Sequence, residues 1–369
     1  MEKTKIGIIG CGAISAIYLE NCTKMFGVLE VAAVADLVPE LARRRADEYG
    51  IPKACTVEEL LADPAIEIVV NLTAPHAHTA VNLQILEAGK HAYAEKPFAL
   101  NREDADLVLR TAEAKGLRVG SAPDTFLGAG LQTCRKLIDG GWIGTPYAAS
   151  GQILMGNVYD GMHPNLPNFL KLGWDPLFDM APYYITAMVN LLGPVRKVSG
   201  SVGQVNRSLT VANPHSPRFG ETVPVEAPMH ASATLDFESG AIATLQAGKE
   251  SFGYSPRLEI YGTEGILYVP DPNNFDGQIR LLQPDGRTSE LPFTHGFADN
   301  SRGVGLADMA YAIRSGRPHR ASGRLARHVL DVTLGVFDSS REERHVAVEA
   351  KCERPAPLPL GLKYGALDR

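Results

Sequence analysis

Short apolar runs alternate with helix-period segments between Lys5 and Gly120. The runs predict strands, and the segments between them predict amphipathic helices that end at polar residues or glycine. The predicted strands are Lys5–Ile9, Glu30–Ala35, Ile66–Leu72, His91–Ala94 and Arg118–Gly120, and the predicted helices are Ala13–Thr23, Pro39–Tyr49, His76–Ala88 and Arg102–Lys115. This alternation is typical of a doubly wound parallel sheet, so the first part of the chain is predicted to be an α/β Rossmann domain.

The pattern changes after residue 122, where one predicted helix (Gly128–Asp139) is followed by strands with turn residues between them. Strands are predicted at Pro146–Leu154, Arg196–Val205, Met229–Phe237, Ala241–Ala247, Leu258–Tyr261, Ile266–Val269, Ile279–Leu282 and Thr288–Phe293. Glu238-Ser239-Gly240 has the composition of a hairpin turn. We therefore expect two domains, residues 1–122 and 123–369, the second an α+β domain with a large, mostly antiparallel open sheet.

Composition excludes several classes of protein. The 369 residues include 36 basic and 42 acidic side chains, a formal charge of -6 that makes nucleic acid an unlikely partner. The five cysteines show no metal-type pairing, so we expect no metal site, no disulfides and a reducing compartment. No apolar run reaches membrane-spanning length, and no signal segment precedes the first strand, so a cytoplasmic protein without membrane contact is expected.

The first chemical motif is GCGAIS at residues 10–15, directly after the first predicted strand. Gly10 suits a tight turn, and Gly12 lets the backbone approach a phosphate. Ala13 and Ile14 then open the helix whose N-terminus would bind the pyrophosphate of a dinucleotide. The third glycine usual in this motif is replaced by Ser15, so the motif alone is weak evidence.

Asp36 strengthens this interpretation, because it ends the second predicted strand 24 residues after Gly12 (36 − 12). A carboxylate there can accept both ribose hydroxyls of the adenosine half and would repel a 2′-phosphate, which favours NAD over NADP. The alternative is that Asp36 only caps the following turn or helix. Arg43, Arg44 and Arg45 lie on the next helix, where we expect a solvated face rather than phosphate recognition.

Two further motifs follow later strands: NLTAPHAH at residues 71–78 and EKP at residues 95–97. The order of GCGAIS, a strand-ending Asp, TAPHAH and EKP resembles the Gfo/Idh/MocA family of nicotinamide-dependent oxidoreductases. The resemblance implies that Lys96 reaches both the substrate hydroxyl and the nicotinamide, that Glu95 and Pro97 belong to the cofactor site, and that the Lys96–Pro97 bond is cis.

The neighbouring strand end contributes Thr73, Pro75 and His78, which would line the nicotinamide side. His78 could equally be a histidine at a helix start with no contact to the cofactor.

A second informative segment is DMAPYY at residues 179–184, where Pro182 suits the first turn of a helix that Gly193-Pro194 ends. Many members of the family have Asp, Gly and a catalytic His at this spacing, whereas this chain has Asp179, Ala181 and Tyr183. Tyrosine is known in the glucose-fructose oxidoreductase and dihydrodiol dehydrogenase branches, so Tyr183 is expected to be the acid/base. The Lys96 cation and the helix N-terminus would stabilise its phenolate.

Asp179, four residues earlier, would share a helix face with Tyr183 and bind the same substrate. The alternative is that Tyr183 and Tyr184 pack at the domain interface and that Asp179 is a helix cap. The polar loop Gly161–Asn168 has the composition of a substrate-specificity loop, with His163, Asn165 and Trp174 as candidate sugar contacts. This loop could also be only a connector.

Together these features predict an NAD-dependent oxidoreductase that transfers a hydride between nicotinamide and a hydroxyl-bearing carbon of a sugar, sugar derivative or cyclitol. Lys96, Tyr183 and Asp179 are the candidate catalytic residues, and no metal is required. The resemblance also implies a homodimer or homotetramer assembled through the C-terminal sheet. The alternative function is an NAD(H)-binding sensor on the same scaffold without turnover.

Overall fold

The computed structural model describes residues 2–156 and 166–368. These residues form two compact units. The first unit contains residues 1–133, 293–327 and 355–369, and the second contains residues 134–292 and 328–354. The C-terminal tail thus belongs to the same unit as the N-terminal sheet. Among the described helices, none is long and apolar enough to cross a membrane.

The first unit is built on a six-stranded parallel sheet with strand order β3-β2-β1-β4-β5-β6. Its strands are β1 (Thr4–Ile9), β2 (Leu29–Ala35), β3 (Ala54–Cys55), β4 (Ile68–Asn71), β5 (His91–Ala94) and β6 (Val119–Ser121). The helices between them are α1 (Ser15–Lys24), α2 (Pro39–Tyr49), α3 (Val57–Ala62), α4 (His78–Glu87) and α5 (Arg102–Ala114). This is the predicted Rossmann sheet, and its strand order reverses between β1 and β4, where such folds bind ligands.

Local chemistry explains where these elements begin and end. Pro39 occupies the first turn of α2, and Gly50 ends it in the left-handed conformation at φ 68°, so the predicted bounds are confirmed. The sequence interpretation missed α3, which begins with a capping box between Thr56 and Glu59. It also missed β3, whose two residues are too few to show a periodic pattern.

The second unit contains a nine-stranded sheet with order β16-β15-β14-β13-β7-β12-β11-β8-β17 and a small β9-β10 hairpin. Its strands are β7 (Pro146–Met155), β8 (Val195–Gly203), β9 (Ser208–Thr210), β10 (Thr222–Pro224), β11 (His230–Phe237), β12 (Ile242–Gly248), β13 (Tyr254–Gly262), β14 (Gly265–Val269), β15 (Ile279–Leu282), β16 (Thr288–Leu291) and β17 (Val346–Ala347). Only the β7–β12 pair is parallel among the described strands of this sheet. The predicted large, mostly antiparallel sheet is therefore confirmed, as is the turn at residues 238–240.

The remaining helices are α6 (Ala129–Asp139), α7 (Leu166–Phe169), α8 (Pro176–Asp179), α9 (Ala181–Leu192), α10 (Val304–Ser315) and α11 (Gly323–Glu342). One expectation about them is wrong. Asp179 and Tyr183 do not lie in one continuous helix, because α8 ends at Asp179 and α9 begins at Ala181, with Met180 (φ -113°, ψ -36°) as the cap residue between them. Asp179 ends the first of these helices, and Tyr183 lies in the first turn of the second.

Candidate active site

The glycine loop after β1 is held in place by the predicted acidic residue. The Cys11 N–H donates to Asp36 Oδ2 at 2.7 Å, and the Val38 N–H donates to Asp36 Oδ1 at 2.8 Å. Asp36 is only half-buried, so its carboxylate keeps acceptor capacity toward solvent. The carboxylate therefore both caps the following turn, as the alternative interpretation held, and lies beside the loop that would bind phosphate.

The loop fits a dinucleotide. Gly10 adopts φ +101°, and a Cβ there would approach the Leu72 backbone to 2.7 Å, whereas a Cβ on Gly12 would meet no atom within 4 Å. Within the described part of the chain, the N–H groups of Gly12, Ala13 and Ile14 have no internal acceptor. Open space above a helix N-terminus that carries unpaired N–H groups is what a pyrophosphate requires.

Arg45 corrects one expectation about the basic run. Arg43 and Arg44 are exposed, but Arg45 is buried, with only 8% of its surface accessible. Its guanidinium donates to Ser15 Oγ at 3.1 Å and to the Gly12 carbonyl at 3.2 Å. Because the Ser15 hydroxyl also donates to the Gly12 carbonyl at 2.6 Å, the residue that replaces the third glycine closes the loop through its side chain.

Two apolar side chains beside Asp36 were missed by sequence reasoning. Leu37 is 95% exposed and Val38 is 49% exposed. An apolar surface next to the carboxylate that is predicted to bind the ribose would suit the flat face of an adenine base. The sequence does carry a signal for this surface. Two large apolar residues follow the acidic residue at the end of β2 and belong to neither the strand pattern before them nor the helical pattern after them.

The end of β4 is organised by a side chain that sequence reasoning did not single out. Asn71 is fully buried, and its amide donates to the His78 carbonyl at 3.1 Å and to Asn82 Oδ1 at 2.9 Å. Its Oδ1 atom accepts from the Thr73 hydroxyl at 2.7 Å. Asn71 therefore fixes both Thr73 and the start of α4.

His78 is 1% exposed and bridges two loops. Its Nδ1 lies 2.7 Å from the Pro97 carbonyl, and its Nε2 lies 2.9 Å from the Thr73 carbonyl. Burial lowers the pKa of His78 below its ordinary value. Both ring nitrogens are engaged by protein carbonyls, so this geometry favours a positioning role over direct contact with a cofactor.

The EKP motif follows β5, and its Lys96–Pro97 bond is cis, as predicted. Glu95 is buried and accepts from the Tyr18 hydroxyl of α1 at 2.8 Å and from the Lys96 N–H at 3.0 Å. Lys96 itself is half-buried, and Pro97 is buried. The loops after β1, β4 and β5 thus carry most of the predicted cofactor residues on one edge of the parallel sheet.

In the second unit, Asp179 is paired with a lysine that sequence reasoning missed. Lys249 Nζ lies 2.6 Å from Asp179 Oδ2 and donates to the Trp174 carbonyl at 2.5 Å. The cap of α8 is Asp175, which accepts from the Leu177 N–H at 3.0 Å. Burial raises the pKa of Asp175 to about 6. The alternative in which Asp179 caps the helix that contains Tyr183 is wrong, because the N-cap position of α9 is Met180.

Tyr183 is largely buried in the first turn of α9, next to a tyrosine–carboxylate cluster. The Tyr184 and Tyr254 hydroxyls donate to the two oxygens of Asp271, at 3.3 Å and 2.5 Å. Tyr183 is close enough to Tyr254 to affect its ionisation. Tyr183 therefore lies near this polar cluster.

Of the three remaining candidate substrate contacts, the structure describes only Trp174. The Trp174 ring packs against Phe169, with centroids 4.7 Å apart. His163 and Asn165 lie outside the described residues. Among the described residues, no group of three or more His, Cys, Asp or Glu side chains could hold a metal ion.

Comparisons with known proteins agree with this architecture. Residues 4–122 match the oxidoreductase family with an NAD-binding Rossmann fold (Gfo/Idh/MocA), and residues 131–268 match the C-terminal domain of the same family. The chain belongs to this family. Its N-terminal part is an NAD-binding Rossmann domain, and the predicted dinucleotide is confirmed as NAD.

Three members of the family illustrate the range of similarity. Myo-inositol 2-dehydrogenase of Thermotoga maritima is 23% identical over 94% of this chain and 98% of its own length. Scyllo-inositol 2-dehydrogenase (NAD(+)) of Bacillus subtilis is 24% identical over 95% of this chain and 98% of its own length. The structure of levoglucosan dehydrogenase in complex with NADH covers 95% of this chain and 100% of that chain at a TM-score of 0.81 and 20% identity, which shows the same fold.

Proposed function

We propose that this protein is an NAD-dependent dehydrogenase that transfers a hydride between nicotinamide and a hydroxyl-bearing carbon of a sugar, sugar derivative or cyclitol. The observation that carries the proposal is the loop at residues 10–14, in which the N–H groups of Gly12, Ala13 and Ile14 lack internal acceptors among the described residues and the Asp36 carboxylate fixes the Cys11 N–H. The substrate class is supported by the relatives, two of which are named for inositols and one for levoglucosan.

The cofactor residues divide by the part of NAD they would hold. Gly12, Ala13 and Ile14 would donate backbone N–H groups to the pyrophosphate, Gly10 would shape the turn before them, and Asp36 would accept from the adenosine ribose. The nicotinamide side would be lined by Thr73, Pro75, Glu95, Lys96 and Pro97. His78 would position two of these residues through its contacts with the Pro97 and Thr73 carbonyls.

Three side chains would carry out the proton chemistry. Oxidation of a secondary alcohol removes a hydride from carbon and a proton from oxygen. Bound NAD supplies the hydride acceptor, nicotinamide C4. Tyr183 would take the hydroxyl proton, and its place in the first turn of α9 supports this role because a helix N-terminus stabilises a phenolate. Lys96 would orient the reacting oxygen, and Asp179 would accept a hydrogen bond from a neighbouring hydroxyl.

The finer assignments are part of the same proposal. His163, Asn165 and Trp174 would contact the substrate. Residues 1–122 would form the cofactor-binding domain. Residues 123–369 would form the domain for substrate binding and oligomerisation. The wide sheet face that carries Ser232, Thr244 and Gln246 supports assembly into a homodimer or homotetramer. A cytoplasmic location stays a prediction from the sequence.

The proposal is tested by absorbance of reduced nicotinamide while purified protein and NAD are mixed with a panel of neutral sugars, anhydrosugars and inositols. We expect reduction of NAD with at least one of these compounds. NAD binding without turnover across the whole panel would favour the alternative, a cofactor-binding sensor.

A further inference from the structure

Lys249 is the first residue after β12, and its side chain is fully buried, with 0% of its surface accessible. Its backbone N–H donates to the Met229 carbonyl at 2.8 Å, which anchors the residue to the sheet. A lysine is almost never fully buried unless its ammonium group is paired. The role of Lys249 therefore follows from the groups that its ammonium group contacts.

The ammonium group contacts three groups of the segment before α9. Nζ lies 2.6 Å from Asp179 Oδ2, donates to the Trp174 carbonyl at 2.5 Å, and lies 4.8 Å from the centre of the Phe169 ring. The Phe169 ring in turn packs on Trp174. One buried cation thus ties the proposed substrate-contact residues Trp174 and Asp179 to the end of a sheet strand.

The nearby carboxylate of Asp175 does not replace Asp179 in this arrangement. It is held by three backbone N–H groups, those of Gly173, Leu177 and Phe178, at 3.0 to 3.3 Å. Lys249 therefore pairs with the Asp179 carboxylate, while Asp175 shapes the turn that precedes Asp179.

A purely structural role is a poor explanation for this pair. Buried ion pairs lose so much hydration that apolar residues of similar volume usually hold a fold as well or better. In this pair, Lys249 is inaccessible, whereas the Asp179 side chain keeps 11% of its surface exposed. The carboxylate is thus fixed by Lys249 while its side chain keeps accessible surface, and an ionised carboxylate only accepts hydrogen bonds. Such a side chain suits a neutral hydroxyl donor.

We infer that Lys249 is a positioning residue for substrate binding, which holds the Asp179 carboxylate in one orientation so that it accepts a hydrogen bond from a substrate hydroxyl. This inference rests on the proposed function. Lys249 does not itself contact the reacting atoms; it acts through Asp179.

The test is steady-state kinetics at saturating NAD with a polyol that the wild-type enzyme oxidises, using K249M, K249R, D179N and the double variant K249M/D179N. K249M should raise the KM for the polyol roughly 10- to 100-fold, the ratio expected for loss of one hydrogen bond to a charged group. The KM for NAD should stay within about twofold of wild type, and K249R should recover part of the loss. K197M is the matched control, because Lys197 forms a partly exposed ion pair with Asp236 at 3.0 Å in the same sheet.

The double variant separates positioning from folding. It removes both buried charges, so its melting temperature should return toward the wild-type value, while its KM should remain as high as that of D179N. A KM for K249M within twofold of wild type, or a double variant that recovers KM together with stability, would overturn the inference while leaving the proposed function intact. Absence of wild-type turnover with every polyol would overturn the proposed function and this inference with it.

Discussion

Replacing Asp36 with alanine should weaken NAD binding without weakening NADP binding. The carboxylate would accept two ribose hydroxyls, and each hydrogen bond to a charged group contributes about 1.5 to 3 kcal/mol. Because Asp36 is half-exposed, water replaces part of each bond, so we take the lower value and expect a loss of about 3 kcal/mol in NAD binding. This corresponds to a roughly 100-fold higher Kd. NADP should bind D36A as well as or better than wild type, because the charge that repels its 2′-phosphate is gone.

The assay is calorimetric titration of wild type and D36A with each dinucleotide. D47A is the matched control, because Asp47 is an exposed carboxylate on α2. Melting curves of the variants would show whether loss of the Cys11 and Val38 contacts has unfolded the loop rather than removed a ligand contact. The reasoning is refuted if D36A binds NAD within about threefold of wild type, or if wild type binds NADP as tightly as NAD.

Three further predictions use single variants. Y183F should lower turnover roughly 10²- to 10⁴-fold with unchanged NAD affinity; near-normal turnover would remove Tyr183 from the proposed mechanism. R45M should raise the Kd for NAD about tenfold in titration because the glycine loop loses two hydrogen bonds, whereas R44M should not; equal effects of the two variants would contradict this. Burial raises the pKa of Asp124 to about 6, so the folded state binds that proton more tightly than the unfolded state does. Wild-type stability should therefore fall relative to D124N by about 2 kcal/mol between pH 4 and pH 7 in urea unfolding, and a constant difference would count against it.

The strands and most helices could be predicted because local chemistry determines them. The bounds of α2 follow from Pro39 and Gly50, and the hydrophobic runs of β1 and β4 are buried as central parallel strands require. Helix α3 was missed although its capping box is readable in the sequence. Its six residues are too few to establish a helical period.

The candidate site was less predictable where distant residues determine the environment. Arg45 and Lys249 are charged, and sequence reasoning assigns such residues to solvent unless their partners are known. Their partners lie 30 to 70 residues away, at Ser15 (45 − 15) and Asp179 (249 − 179). Only the tertiary fold brings these pairs together. The break at Met180 was equally hidden, because Asp179 and Tyr183 have the spacing of one continuous helix.

The position of β7 in the sheet has a consequence for synthesis on the ribosome. This strand pairs on one side with β12 and on the other with β13, and β12 begins 87 residues after β7 ends (242 − 155). At translation rates of about 5 to 20 residues per second, the β12 edge of β7 waits roughly 4 to 17 s for its partner. The β13 edge, whose partner begins 99 residues after β7 ends (254 − 155), waits roughly 5 to 20 s. An unpaired strand is a template for association with other chains. The backbone hydrogen-bonding groups of this central strand are therefore exposed soon after synthesis and paired only late. A nascent chain that stops before Gly262 cannot complete the pairing of β7 with β13.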